Sequence, residues 1–180
     1  IDHFNKIADS VEIPGILYNV PGRTSLNMTA ETTLALSSHQ NIVGIKEASS
    51  DLGQITSIIS ESSGTDFRVW SGNDDETFSI MALGGFGVVS VASNIVGVQI
   101  NRMIGSILEG SIESAADQHK ELLPLFQGLF WITNPILIKR ALNLSGFEVG
   151  GLRLPMKDSD ELNRDFSELL SRYDIDVTNV

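Results

Sequence analysis

One lysine lies in an apolar, β-branched segment, and its position makes it the strongest candidate for chemistry in this sequence. Lys46 belongs to residues 41–48, whose length and polar borders are typical of a strand buried on both faces. The other four lysines lie in predicted helices or in a loop: Lys6, Lys120, Lys139 and Lys157. Burial lowers the pKa of a lysine, and a neutral amine attacks ketones. The sequence therefore predicts a nucleophilic lysine; the alternative is a strand-end lysine that extends to solvent.

Four strand-then-helix units surround this lysine and must position it. The predicted strands cover residues 13–20, 41–48, 67–71 and 87–91, and the predicted helices after them cover 29–38, 52–61, 77–83 and 94–109. Such alternation predicts a parallel sheet with functional residues at the carboxyl ends of its strands. Because side chains alternate along a strand, Glu47 is expected to point away from the face of Lys46 and not to pair with its amine.

The composition excludes several classes of function. The 180 residues include 42% hydrophobic residues, no cysteine and a formal charge of -11. A chain this acidic is not expected to bind nucleic acid or an anionic membrane, and without cysteine it forms no disulfide, which fits a cytoplasmic protein. Residues 78–101 carry no charge, but glycines interrupt them, so no membrane span is predicted. The sequence begins within an amphipathic helical pattern, so we expect it to start inside a domain.

Ordered motifs along nearly the whole chain resemble those of a known enzyme family. The motifs are YNVPGRT at 18–24, GIKEA at 44–48, SGND at 71–74, GGFGVVS at 84–90, NP at 134–135 and LRLPM at 152–156. In this order they resemble the C-terminal part of the dihydrodipicolinate synthase family, within the pyruvate-dependent class I aldolases. The resemblance implies the C-terminal half of a TIM (β/α)8 barrel in residues 1–110 and a helical region in residues 111–180.

The resemblance also implies an activity and its residues. Members of the family condense pyruvate with aspartate semialdehyde in lysine (diaminopimelate) biosynthesis and need no metal or organic cofactor. By this resemblance Lys46 forms the imine with pyruvate, Tyr18 relays protons, and Arg23 binds the carboxylate of aspartate semialdehyde. Gly72 and Val89 match backbone positions that line the pyruvate pocket.

The residues by themselves are also compatible with ordinary structural roles and with other functions. Tyr18 is also compatible with a core tyrosine, and Arg23 with an ordinary loop arginine. Related N-acetylneuraminate lyases and keto-acid aldolases share the tyrosine and lysine strands, and Arg23 favours the synthase over them. A catalytically inactive half-barrel scaffold is the alternative from another class of function.

The resemblance covers only the second half of the family's barrel. The threonine pair for the pyruvate carboxylate, the second relay tyrosine and the lysine feedback site are therefore expected outside this chain, and Tyr173 lies too late in the sequence to replace that tyrosine. The expected small-molecule partners are the two substrates. We also expect the chain to form a homo-oligomer or to associate with the missing N-terminal half, because a half barrel exposes two sheet edges.

Three other groups of residues receive no catalytic role. The acidic residues Asp74, Asp75 and Glu76 are interpreted as a helix cap rather than a cation site. The glycines near the fourth strand lack the lysine of a phosphate-binding loop. The three histidines are scattered without the spacing of metal ligands: His3, His39 and His119.

Overall fold

Four parallel strands connected by helices make up the first 89 residues of the computed structural model. The structure describes residues 1–158 and 163–177. The strands are β1 (Gly15–Asn19), β2 (Ile42–Glu47), β3 (Arg68–Ser71) and β4 (Gly87–Val88). Each strand pairs with the next one in sequence, which gives the order β1-β2-β3-β4. The predicted parallel sheet is confirmed, although β4 is shorter than the predicted 87–91.

Two of the five helices in this part begin where a short polar side chain satisfies a free backbone N–H group. The helices are α1 (Asp2–Asp9), α2 (Pro21–Thr24), α3 (Ala30–Ser37), α4 (Leu52–Glu61) and α5 (Thr77–Ala82). The Thr29 hydroxyl accepts a hydrogen bond from Thr32 N at the start of α3, and Asp51 Oδ1 accepts one from Gln54 N at the start of α4. Both predicted helix starts are confirmed.

The predicted cap of α5 by Asp74 and Asp75 is wrong. Asp74 and Asp75 lie in a 3-10 turn (Asp74–Glu76), and Glu76 occupies the N-cap position of α5. Just before this turn, Ser71 Oγ donates to the backbone oxygen of Asn73. Asn94 does not cap the following helix either. Its side-chain amide donates to Val91 O from within the first turn.

The hydrophobic core of residues 1–89 lies between one face of the sheet and the helices. Leu17, Ile45 and Val69 project from β1, β2 and β3 into this core, and all three are at most 5% exposed. The helices contribute further fully buried residues: Leu36, Ile55, Ile58 and Ile80. Every second residue of each strand therefore packs against helices, and the residues between them face the other side of the sheet.

The second compact unit, from Ser90 onward, consists of helices and the loops between them, with no strand among its described residues. Its helices are α6 (Ser93–Leu108), α7 (Ile112–Gly128), α8 (Ile136–Leu144) and α9 (Asn163–Leu170). The helical path of α6 is interrupted at Val96, and the segment after α9 satisfies the backbone there, since Asp176 N donates to Ile95 O. The sequence predicts a last helix over residues 160–173, and residues 160–162 of it lie outside the described residues.

The chain divides into two compact units, residues 1–89 and 90–180. The compact units meet between residues 89 and 90, whereas the division at residue 110, made on family grounds, stays a prediction. Among the described residues, no helix combines the length and apolar character needed to cross a membrane.

Candidate active site

The carboxyl ends of β1 and β2 bring Tyr18 and Lys46 side by side. The two residues are paired in the register of the strands, and Lys46 Nζ lies 4.5 Å from the centroid of the Tyr18 ring. Because Ile45 packs into the helix-covered core, Lys46 projects from the opposite face of the sheet. The negative face of an aromatic ring attracts an ammonium group at this distance. An amine and a phenol, both able to exchange protons, thus share one site.

The face that carries Lys46 is more open than the sequence predicts. Lys46 is half-buried, while Tyr18 is 47% exposed and Ile16 is 49% exposed. The prediction that this strand is buried on both faces is therefore wrong. The helices of residues 1–89 pack on one face, and the described part of the chain has no strand beyond β4 that could close a barrel over the other. We call this second face of the sheet, formed by Ile16, Tyr18, Lys46, Trp70 and Val89, the open face.

Trp70 lies beside Lys46 on the open face, a neighbour that was not predicted from the sequence. Trp70 pairs with Lys46 in the register of β2 and β3, and its ring contacts Phe86 edge to face at 5.3 Å. A Cβ atom on Gly44 would lie 2.4 Å from Trp70 Cζ3 and 2.2 Å from Arg68 O. Only glycine therefore fits at position 44. The signal in the sequence was a glycine two residues before the lysine, within an otherwise β-branched strand.

Gly72 lies directly beside the Lys46 side chain. A Cβ atom at position 72 would come within 3.1 Å of Lys46 Cε, 2.7 Å of Ala48 Cβ and 2.9 Å of Glu47 O. The Gly72 N–H donates to Glu47 O at 2.6 Å, which continues the pairing of β2 and β3 beyond their last residues. The structure thus brings three of the predicted site residues together: Tyr18, Lys46 and Gly72.

The other two predicted site residues occupy strand ends without contacting the amine in this structure. Val89 follows β4, is exposed, and donates its N–H to Ser71 O at 2.9 Å. Arg23 lies in the short helix α2 after β1 and is exposed. Within residues 1–158 and 163–177 its guanidinium makes no hydrogen bond or ion pair, so it is available to a ligand.

A buried carboxylate lies on the side of the sheet opposite Lys46. Glu47 is fully buried, and its Oε1 accepts a hydrogen bond from Asn19 Nδ2 at 2.7 Å. Its Oε2 accepts hydrogen bonds from Gln54 Nε2 at 3.0 Å and Ser49 Oγ at 3.1 Å. Loss of solvent raises the pKa of Glu47, and these hydrogen bonds oppose the rise. The prediction that Glu47 turns away from Lys46 is confirmed.

The hydrogen-bond partners of Glu47 were not predicted from the sequence. Its partner Asn19 follows Tyr18 as Glu47 follows Lys46, and the two pairs are in register. Two polar residues at matching positions of neighbouring apolar strands were a usable signal for this contact. Within residues 1–158 and 163–177 no cluster of three or more histidine or acidic side chains is suited to a metal ion.

The parallel sheet, its helices and a lysine at the end of a strand define a protein of the (β/α)-barrel class. Comparison with known proteins gives its family. The profile of the dihydrodipicolinate synthetase family matches residues 1–172, and the chain belongs to this family.

Relatives with names and solved structures agree with this assignment. The 4-hydroxy-tetrahydrodipicolinate synthase of Dehalococcoides mccartyi is 51% identical over 176 residues, which are 97% of this chain and 59% of the relative. The crystal structure of dihydrodipicolinate synthase from Aquifex aeolicus superposes with a TM-score of 0.92 at 37% identity, over 99% of this chain and 61% of that one. The chloride-inhibited synthase of Acinetobacter baumannii, solved with pyruvate, gives a TM-score of 0.90 at 32% identity, over 95% and 59% of the two chains.

These likenesses confirm the predicted fold class, a C-terminal half of a TIM barrel followed by helices. The chain spans about 59% of the length of the curated relative that it matches.

Proposed function

We propose that Lys46 forms an imine with pyruvate and that this chain carries the Schiff-base part of a 4-hydroxy-tetrahydrodipicolinate synthase. The observation that carries the proposal is the Lys46 amine, 4.5 Å from the Tyr18 ring centroid at the ends of paired strands. Membership of the synthase family and the pyruvate complex of the Acinetobacter baumannii relative support the choice of substrate.

The imine forms in two steps that need only side chains and water. The neutral amine of Lys46 attacks the ketone carbon of pyruvate, and the ketone oxygen becomes a hydroxyl group of a carbinolamine. Loss of that hydroxyl as water, with a proton supplied to it, gives the imine and restores the proton balance. The Tyr18 phenol acts as the proton carrier, because its ring lies against the amine and half of its surface is open to solvent. No metal or organic cofactor takes part.

The second substrate is aspartate semialdehyde, and Arg23 binds its carboxylate. A guanidinium presents paired donors that match a carboxylate, and the side chain of Arg23 is exposed after β1. Gly72 and Val89 line the pyruvate pocket with backbone, since a side chain at position 72 would fill the space next to Lys46 Cε. The product feeds lysine biosynthesis in the cytoplasm.

Borohydride reduction in the presence of pyruvate tests this function. We expect the 180-residue protein to gain the mass of one reduced pyruvate adduct, located on Lys46 by peptide mapping. The variant Lys46→Ala should gain none, and Lys6→Ala, which removes an exposed lysine of α1, should react like the wild type. Absence of an adduct on the wild-type protein, with its fold verified by circular dichroism, would refute imine chemistry and favour an inactive scaffold.

The open face also implies a partner, which we propose is a second copy of the chain. Ile16, Tyr18 and Val89 are 42–49% exposed on this face, and β1 leaves one edge unpaired. Self-association would cover both. Light scattering is expected to give a mass above that of one chain, and a folded monomer would contradict the proposal. We further propose that residues 1–110 act as the barrel part and residues 111–180 as the helical region.

A further inference from the structure

The hydrogen bonds of Glu47 tie together the backbone segments that carry the proposed site residues. Asn19 donates to Glu47 Oε1 at 2.7 Å, and its own Oδ1 accepts a hydrogen bond from Met28 N at 2.9 Å. Gln54, from the first turn of α4, donates to Glu47 Oε2 at 3.0 Å and to Met28 O at 3.1 Å. One carboxylate therefore joins the ends of β1 and β2, the start of α4 and the segment after α2.

Two of the joined residues, Asn19 and Glu47, are next to residues of the proposed mechanism. Asn19 follows Tyr18 directly, and Glu47 follows Lys46 directly, so that the pair Asn19–Glu47 and the pair Tyr18–Lys46 are consecutive in the strand register. The two pairs point to opposite faces because side chains alternate along a strand. The Asn19–Glu47 hydrogen bond on the helix side thus lies one register position from the phenol and the amine on the open face and adds to the backbone pairing of the two strands.

Packing alone does not explain why a carboxylate occupies this buried position. Transfer of an ionised carboxylate from water is costly, and an apolar side chain of similar volume often gives equal or greater stability. What an apolar residue cannot do is accept three directed hydrogen bonds from Asn19, Ser49 and Gln54 at once. The contribution of Glu47 is therefore to hold the ends of β1 and β2 in a defined arrangement.

We infer that Glu47 is a positioning residue for imine formation: through Asn19 and Gln54 it holds the strand ends so that Tyr18 lies against the Lys46 amine. This inference rests on the proposed function. A displacement of about 1 Å between reacting groups is enough to slow a reaction about a hundredfold. The carboxylate acts without touching the substrate, because it lies on the helix side of the sheet.

The substitution Glu47→Gln tests the inference with little change of shape. The Asn19 amide cannot turn to fit the new side chain, since its Oδ1 already accepts from Met28 N. Asn19 Nδ2 and Gln54 Nε2 are both donors, so one of them must face the new amide N–H group. We expect the saturating rate of borohydride-trapped imine to fall about ten- to a hundredfold, with little change in the pyruvate concentration for half-saturation.

Two further variants separate positioning from a general loss of structure. The exposed Glu61→Gln, at the end of α4, is the matched control and should react at the wild-type rate. The double variant Asn19→Asp with Glu47→Gln exchanges acceptor and donor across the contact with Glu47, although it loses the hydrogen bond from Asn19 Nδ2 to Asn27 Oδ1. It should therefore recover part of the rate and react at least about threefold faster than Glu47→Gln alone. A role in stability alone would not give this recovery in a measurement made on folded protein.

Hydrogen exchange gives a readout that does not depend on pyruvate. The Ala48 amide donates to Asn19 O at 2.8 Å and so reports the contact of the two strand ends. In Glu47→Gln it should exchange about tenfold faster than in wild type, while buried β2 amides are unchanged. Unchanged trapping and exchange in a folded Glu47→Gln variant would overturn the inference alone. Wild-type protein that traps no pyruvate would instead overturn the proposed function itself.

Discussion

The two faces of the sheet differ most at the ends of β1 and β2. On the open face, Tyr18 and Lys46 make one contact between a ring and an amine, and nearly half of the tyrosine surface is exposed. On the helix side, Asn19 and Glu47 are at most 2% exposed and take part in directed hydrogen bonds. Consecutive residues in the same two strands thus experience solvent on one side and a closed polar network on the other.

On the proposed function, this difference places the reacting groups on one face and the residues that position them on the other. Groups that must meet a substrate need access, and access removes the packing that would otherwise hold them in place. The helix side supplies that constraint, because buried hydrogen bonds left unmade cost about 1–3 kcal/mol each and therefore resist distortion. The following changes test each face separately, from the largest expected effect to the smallest.

Removal of one hydroxyl from the open face should have the largest effect. Tyr18→Phe keeps the ring beside Lys46 but removes the proton carrier, and general acid–base catalysis contributes about 10²–10⁴-fold to a rate. We expect a loss of this size in the rate of pyruvate trapping. Tyr173→Phe is the control, since that hydroxyl donates to Glu121 O in the helical unit. Equal rates for Tyr18→Phe and the control would show that Tyr18 transfers no proton.

Truncation of a core side chain on the helix side should lower stability strongly. Ile45→Ala removes a fully buried side chain from β2, and such deletions cost about 2–5 kcal/mol in the free energy of unfolding. Ile16→Ala on the open face, where the side chain is 49% exposed, should cost less than about 1 kcal/mol. Urea titrations of both variants measure the difference. Similar losses would mean that the open face is covered as fully as the core.

A single methyl group added to β2 on the open face should lower the free energy of unfolding by a smaller but measurable amount. Gly44→Ala places a Cβ atom against Arg68 O and the Trp70 ring, and overpacking of this kind costs about 1–3 kcal/mol. The control Gly22→Ala meets no atom within 4 Å of the new Cβ and should not destabilise the protein. Urea titration with tryptophan fluorescence measures both changes. An unaffected Gly44→Ala would mean that both the β3 backbone at Arg68 and the Trp70 ring move away without cost.

The pH dependence of stability should show the smallest effect, because it concerns one proton on Glu47. Burial raises its pKa in the folded state above the usual value of about 4.5, so that the folded protein holds this proton more tightly than the unfolded chain. The stability associated with it is complete below that value and is lost as the pH rises through the folded-state pKa. Glu47→Gln should remove this decline. Parallel stability curves for the two proteins would contradict the raised pKa.

Part of the site could be predicted because it depends on local patterns. A lysine in an apolar strand and the alternation of side chains were enough to predict that Lys46 and Glu47 face opposite sides, whereas the position of Tyr18 in the site was expected from the family resemblance. The burial of the face that carries Lys46 was predicted wrongly, since it depends on how many strands surround it. The role of Asp74 was predicted wrongly because a 3-10 turn, Asp74–Glu76, precedes the helix, which itself starts at Thr77 as predicted.

The sequence alone determined the order of strands and helices and the lysine around which the proposed chemistry is built, because both follow from periodicity and residue type. Only the tertiary structure decided which donors surround Glu47 and why residue 44 must be glycine. Gln54 is seven residues from Glu47, and Trp70 is 26 residues from Gly44. Contacts of this kind depend on strand register and on the path of the connecting helices, and those are fixed only when the whole sheet packs.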